Sequence, residues 1–345
     1  MLIYIAIFIL LLFLALLKPN GKIALYVAMI FLGGICAFRG SDVDRDYNTY
    51  ISIYSYIIDG YQYAIEPSFY IFSILSNKLV GAPWLIFVFY ALLAIFFKVK
   101  FIQYWSPFFM LSVIVYYSNI YFLHEMTQIR IGLASSIGFF SLKYLIDNKK
   151  KKYYFCVLIA MTIHFSMIAF LFLPLMNLKN ISKHFKINYS IALFALYILY
   201  QFKVDLTSVI KFIGVDFIQN KYQMYQNQVN ENDVRVNVFS AFQLLHIAII
   251  YFAMYHSSKF ENDDKFVTML KIYSLGPISL IAFSTVPGLS LRFSELFSVC
   301  EIILLPMLVR QIKQTGVAYF SVITLSFSIL IINIYYMLLV KAYAF

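Results

Sequence analysis

Long apolar runs dominate the chain, and short loops rich in lysine separate them. A crossing helix needs about 20 apolar residues to span a hydrocarbon core of about 30 Å. Segments 2–17, 22–38, 83–102, 106–123, 127–146, 187–203, 237–256, 266–285, 292–312 and 316–339 read as such helices. The short alternating strands of a membrane barrel are absent from the pattern. The first run lacks a basic start and an Ala-x-Ala cleavage site, so it reads as a retained helix rather than a signal peptide. The expected fold is all-α: a polytopic transmembrane helical bundle of about ten spanning helices, a single integral membrane domain over 1–345.

Two stretches, 66–80 and 153–178, are ambiguous, and the positive-inside bias arbitrates. Lys149, Lys150, Lys151 and Lys152 form the strongest basic cluster, which puts their loop inside. Lys98, Lys100, Lys18 and Lys22 then fall inside too, provided that 66–80 does not cross. That stretch is short and carries Glu66, Pro67, Ser68, Ser76 and Asn77, so it reads as surface-lying or re-entrant. Lys179, Lys183, Lys186, Lys259, Lys265, Lys271, Arg310 and Lys313 fall inside if 153–178 enters and returns as a hairpin with its elbow near His164. A single tilted crossing is the other reading of that stretch. The outer side then holds Arg39 to Asp46, His124, Glu125, Arg130, the long loop 204–236 and Arg292.

Composition agrees with lipid as the solvent. The chain of 345 residues is 62% hydrophobic and only 12% charged, with a mean hydropathy of +0.81, more apolar surface than a soluble domain could hide. The net charge of +11 sits largely in short loops, as topology requires, and leaves no nucleic-acid footprint. Cys36, Cys156 and Cys300 lie far apart inside apolar runs and read as buried small hydrophobes, with no disulfide or metal spacing.

Arginine gathers on the outer face, with only Arg310 on the inner one. A guanidinium offers a planar fork of donors and keeps its charge when desolvated, which suits phosphate and diphosphate. Arg130 in "HEMTQIRIGLASS" and Arg292 in "GLSLRFSELF" lie within or at the head of apolar helices, where an ionisable group marks a functional candidate. Snorkelling, or pairing with Glu125 or Glu295, is the plainer explanation for each alone. Together with Arg39 and Arg45 they favour a bound anion. His164 is the one histidine deep in an apolar run; it reads either as a packing residue or as a phosphate donor or general base. "DVD" at 42–44 invites a metal-binding reading, against salt-bridged loop structure with Arg39 and Arg45. The loop 204–236, rich in Asn, Gln and Tyr, suits contact with glycan.

"AFRGSDVDRDYNTY", "EPSFYIFSIL", "QIRIGLASSIGFFSLKYL", "IHFSMIAFLFLPL", "NKYQMY" and "LRFSELFSVCEIILLP" follow one another in an order that resembles EpsG-type proteins, the Wzy-like polymerases of bacterial O-antigen, capsule and exopolysaccharide. On that resemblance Arg39, Asp46 and Tyr50 match the first motif, Arg130 the "Arg-x-x-hydrophobic-Ala" helix and His164 with Ser166 the His-x-Ser element. Tyr222 and Tyr225 match the loop aromatics, and Arg292 the arginine before the last helices. The resemblance implies a GT-C-like, inverting, metal-independent glycosyltransferase with no cofactor, in the inner membrane and facing outward. Its donor would be a glycan on undecaprenyl diphosphate and its acceptor one repeat unit on the same lipid. The bilayer is a partner, and a chain-length regulator is a further candidate partner.

The expected roles are diphosphate binding by Arg39, Arg130 and Arg292, phosphate donation or base action by His164, and a reserve base in Glu125. Asp46, Tyr50, Tyr222 and Tyr225 would contact substrate. Two rivals are a metal-dependent GT-C transferase using Asp42 and Asp44 on a polyprenyl-phosphate sugar, and a transporter or flippase of lipid-linked sugars. A transporter predicts two similar halves and midplane charges, and no such halves are visible in the sequence.

Overall fold

The computed structural model describes residues 1–41, 43–63, 65–208, 236–260 and 263–342. They form two compact units, Met1–Met176 with Glu301–Phe345, and Asn177–Cys300. Among the described residues the regular structure is helical, and the β contribution is an isolated bridge between Asp44 and Val340.

In the first unit, α1 (Leu2–Leu17), α2 (Lys22–Ala37), α3 (Tyr47–Ile58), α4 (Pro67–Val80), α5 (Trp84–Trp105) and α6 (Phe109–Val115) lead into a π-helix, Tyr116–Thr127. Then come α7 (Ile129–Ile146), α8 (Lys150–Ile163) and a 3-10 helix, Phe165–Leu175. The returning segment Glu301–Phe345 adds helices Glu301–Gln311 and Thr315–Ile331, the second continuing as a π-helix to Tyr336. The long apolar α5 is central, packed against α2, α4 and α7, while α7 also carries α8. Small residues let these helices approach, as membrane packing requires. A Cβ on Gly33 of α2 would stand 3.1 Å from Ile95 of α5.

The all-helical expectation holds among the described residues, while the count of about ten spans is not confirmed. Among the described residues, Trp84–Trp105, Ile129–Ile146, Asp264–Ala282 and Thr315–Tyr336 are long and apolar enough to cross; Leu2–Leu17 and Lys22–Ala37 are shorter apolar helices. Polar and turn residues divide several of the expected runs. The apolar stretch from 106 changes to π-helix at Tyr116 and ends at Thr127, and Gln128 leaves helical geometry before α7 begins. Segment 292–312 is split between helices Pro287–Ser298 and Glu301–Gln311.

The stretch 66–80 forms α4, whose 14 residues extend only about 21 Å. Pro67 opens it and Gly81, left-handed at φ 66, closes it. The stretch 153–178 does fold back. His164 adopts extended geometry between α8 and the 3-10 helix, and Tyr153 Oη donates across the fold to Phe170 O at 2.5 Å. A single tilted crossing is thereby ruled out, because residues on either side of the elbow touch.

In the second unit, helix Asp264–Ala282 packs against Lys183–Gln201, Ala241–Tyr255 and Pro287–Ser298. Two lysines read from the sequence as topology markers serve packing here. Lys186 Nζ donates to Met254 O near a helix end at 2.8 Å, and the buried Lys271 donates to Asn177 O. A cation near a helix C-terminus is favourable on dipole grounds.

Candidate functional site

The turn after α2 wraps around Arg39. Its Nη1 donates to Cys36 O at 2.8 Å, and its Nε pairs with Asp44 Oδ2 at 2.5 Å. The other Asp44 oxygen accepts from Asp46 N at 2.9 Å, so both carboxylate oxygens are engaged. The C-terminal segment fixes this turn from outside: Lys341 N donates to Val43 O at 2.8 Å beside the Asp44–Val340 bridge, and Tyr4 Oη donates to Lys341 O. Asp44 is therefore a strut for Arg39, as the salt-bridged reading of "DVD" expects. Asp42 lies outside the described residues.

Phe87 of α5 is the hub on which the arginine turn meets the next helices. Arg39 Cζ stands 4.5 Å from its ring centroid, Tyr47 stacks on it at 4.5 Å, and Tyr50 meets it edge-on at 6.2 Å. Tyr50 in turn stacks on Phe69 at 5.7 Å, and Arg130 Cζ lies 6.0 Å from the Tyr50 ring. Burial pushes the Tyr50 hydroxyl up from the ordinary tyrosine value, while the Arg130 and Arg39 guanidiniums pull the other way. The hydroxyl thus stays protonated, within the field of both guanidiniums.

Arg130, the second residue of α7, pairs with Glu66 rather than with Glu125, the partner its sequence neighbourhood suggests. Glu66 is almost fully buried at the head of α4, whereas the Arg130 side chain keeps 18% exposure. Each arginine also has a buried nitrogen without an acceptor among the described residues, Nη2 on Arg39 and Nε on Arg130. Buried polar atoms are nearly always satisfied in folded proteins, and a guanidinium left partly unsatisfied suits an anion.

Glu125 belongs to a second polar cluster. Its Oε1 lies 3.5 Å from Lys98 Nζ, both side chains being buried. Lys98 in turn sits 5.4 Å from the Tyr116 ring centroid. The sequence reading put Lys98 on the inner side and Glu125 on the outer face; a direct ion pair between them is incompatible with placing the two on opposite faces. Cys36 joins the clusters, its Sγ donating to Glu125 O at 2.6 Å while its own carbonyl accepts from Arg39. A Cβ on Gly132 of α7 would fall 2.5 Å from His124 O and 2.9 Å from Glu125 Oε2. Twelve residues of π-helix carry His124 and Glu125, and such departures from α geometry concentrate at functional places.

His164 caps the 3-10 helix. Its Nδ1 accepts from Ser166 N at 3.2 Å and lies 2.5 Å from Ser166 Oγ. A backbone N–H can only donate, so the neutral ring carries its proton on Nε2. His164 is buried beside a polar neighbour, not turned to lipid.

Arg39, Asp46, Tyr50 and Arg130 thus share one neighbourhood. Arg292 is half-buried on helix Pro287–Ser298 of the second unit. Tyr222 and Tyr225 lie outside the described residues. Sequence reasoning missed Glu66, Tyr47, Phe87 and Lys98 as site residues. Glu66 had one signal, an acid at the start of a helix in an apolar region; the two aromatic residues had none, among aromatics that make up 19% of the chain.

Neither a curated protein nor a solved structure matches the chain. The model of the EpsG family, which is associated with polysaccharide polymerases, matches residues 22–345. With apolar helices throughout and that match over nearly its whole length, the chain is a membrane protein that belongs to the EpsG family.

Proposed function

We propose that the chain is a glycosyltransferase that polymerises oligosaccharide repeat units carried on undecaprenyl diphosphate, at the outer face of the inner membrane. The growing glycan moves as a block from its lipid to the acceptor repeat unit, and undecaprenyl diphosphate leaves. The observation that carries this reading is the pair of guanidiniums flanking one aromatic core, each with a nitrogen lacking an acceptor among the described residues.

Breaking the sugar–diphosphate bond concentrates negative charge on the departing phosphate. Donors already fixed in a site shielded from water stabilise that charge, and removal of one such donor typically lowers turnover by roughly 10²–10³-fold. Arg39 is rigid, locked by Cys36 O and Asp44, and suits this role. Arg130 is the more exposed member of its ion pair and suits first capture of the diphosphate. His164 donates to phosphate through Nε2–H. Tyr50 and Asp46 contact the sugars. The acceptor hydroxyl must lose a proton, a task for which the sequence offers His164 and Glu125.

The test is a strain lacking the gene. It should carry surface glycan of single repeats, wild-type protein should restore long chains, and Arg39→Ala or Arg130→Ala should not. Normal chain-length ladders from both variants would reject the reading.

A further inference from the structure

Resting on that polymerase reading, we propose that the exposed face of α3 and the turn after it form a glycan track. It holds several sugar rings of a lipid-linked repeat unit whose diphosphate lies at Arg39 and Arg130. α3 has 12 residues, about 18 Å of helix, and its two faces differ in kind. Tyr50, Ile53, Tyr54 and Ile57 are buried, with Tyr50 meeting Phe69, Phe87 and the Arg130 guanidinium. The opposite face is exposed and carries Asn48, Thr49, Ser52 and Ser55, uncharged between Arg45 and Asp59 at its ends. Steps of four and three residues bring Asn48, Ser52 and Ser55 into one stripe. Hydroxyls and amides are poor company for lipid chains. They both donate and accept, which suits the uncharged hydroxyls of a sugar.

The far end of the stripe is aromatic. Tyr56 and Tyr61 keep 54% and 62% exposure, and Tyr63 is exposed beside them. Their ring centroids stand 5.6 Å (Tyr61) and 6.3 Å (Tyr63) from that of Tyr56. The backbone beneath this trio is held in place. Tyr61 N donates to Tyr56 O at 3.0 Å, Tyr63 N donates to Tyr70 Oη at 2.7 Å, and Tyr70 Oη donates to Tyr63 O at 2.7 Å. A sugar ring has apolar C–H faces rimmed by hydroxyls, which matches the apolar body and polar tip of a tyrosine. Tyr56 follows Asp46 by ten positions, about 15 Å along the helix axis. A single sugar on the diphosphate falls short of that distance, whereas an oligosaccharide covers it. The track thus favours a whole repeat unit over the lone sugar on polyprenyl phosphate that the rival transferase would use.

The experiment uses the full chain in detergent and two probes: lipid-linked repeat units prepared from a strain lacking the gene, and undecaprenyl diphosphate alone. Tyr56→Ala combined with Tyr61→Ala should weaken repeat-unit binding about tenfold and leave undecaprenyl diphosphate binding unchanged. Tyr56→Phe combined with Tyr61→Phe should keep most of the repeat-unit binding. Asn48→Ala combined with Ser55→Ala, which removes no ring, should weaken the same binding about threefold. Full repeat-unit binding by both alanine pairs overturns the inference. So does an equal loss of both probes, which would trace to the seating of α3 rather than to sugar. If the tyrosine pair binds repeat units normally but loses thermal stability in bilayer nanodiscs, the rings are membrane anchors and the track is refuted. In cells, normal glycan ladders from both alanine pairs beside the loss of long glycan in Arg39→Ala and Arg130→Ala would sink this inference alone. Normal ladders from the two arginine variants would sink the polymerase reading itself.

Discussion

Lys98 and Glu125 form an ion pair with both side chains buried, 3.5 Å apart inside the first unit. Removal of one partner leaves an uncompensated charge, whereas removal of both leaves an apolar interior. Breaking a buried pair costs about 3–5 kcal/mol, while apolar replacement of the whole pair is often neutral. Lys98→Ala and Glu125→Ala should each lower the thermal unfolding temperature in detergent sharply, and Lys98→Met combined with Glu125→Leu should recover most of it. Equal damage from all three would mean that the pair adds nothing specific.

Gly132 and Gly138 occupy the same helix but should respond differently. The Cβ of an alanine at 132 would meet the backbone oxygen of His124 at 2.5 Å, and backbone cannot step aside cheaply. At 138 the obstacle is the end of the Met167 side chain, which can rotate. Overpacking costs about 1–3 kcal/mol, so Gly132→Ala should reduce membrane yield and melting temperature clearly more than Gly138→Ala. The reverse order would discredit the packing of α7 against the π-helix.

His164 has a capping role and a chemical one, and two substitutions separate them. Asparagine can still accept from Ser166 N, but it has no imidazole Nε2–H. Alanine loses the cap as well, a change of about 1 kcal/mol. Both variants should fail to make long glycan if the ring acts on phosphate, and only His164→Ala should also be less stable. A fully active His164→Asn would confine the residue to capping.

Deletion from Val340 onward should abolish long glycan without preventing membrane insertion. The segment contributes the bridge to Asp44 and the bond from Lys341 N to Val43 O, which together hold the Arg39 turn. A glycan ladder, read alongside the amount of protein in the membrane fraction, checks this. Intact polymerisation by the shortened chain would show that the turn needs no strap.

Part of the candidate site is legible in the sequence, because charge in an apolar chain stands out. Arg39, Arg130 and His164 stand out by contrast with their neighbours, and the fold-back at His164 is one of the two readings left open by a stretch too short for two crossings. Glu66 is 64 residues away from Arg130 along the chain, and nothing in local spacing couples them. Lys98 misled for a related reason: a lysine two positions from Lys100 reads as loop charge until its partner is seen. The count of about ten spans is not confirmed, because hydropathy integrates over a window, whereas helix length is set by breaks such as the one between Ser298 and Glu301 inside the expected run 292–312.

The strap also couples stretches of chain far apart in sequence, since Tyr4 of α1 holds the carbonyl of Lys341. The frame of the Arg39 turn is therefore set from outside its own helix and loop, and a substitution in α1 or beside Val340 should reach the guanidinium without touching it.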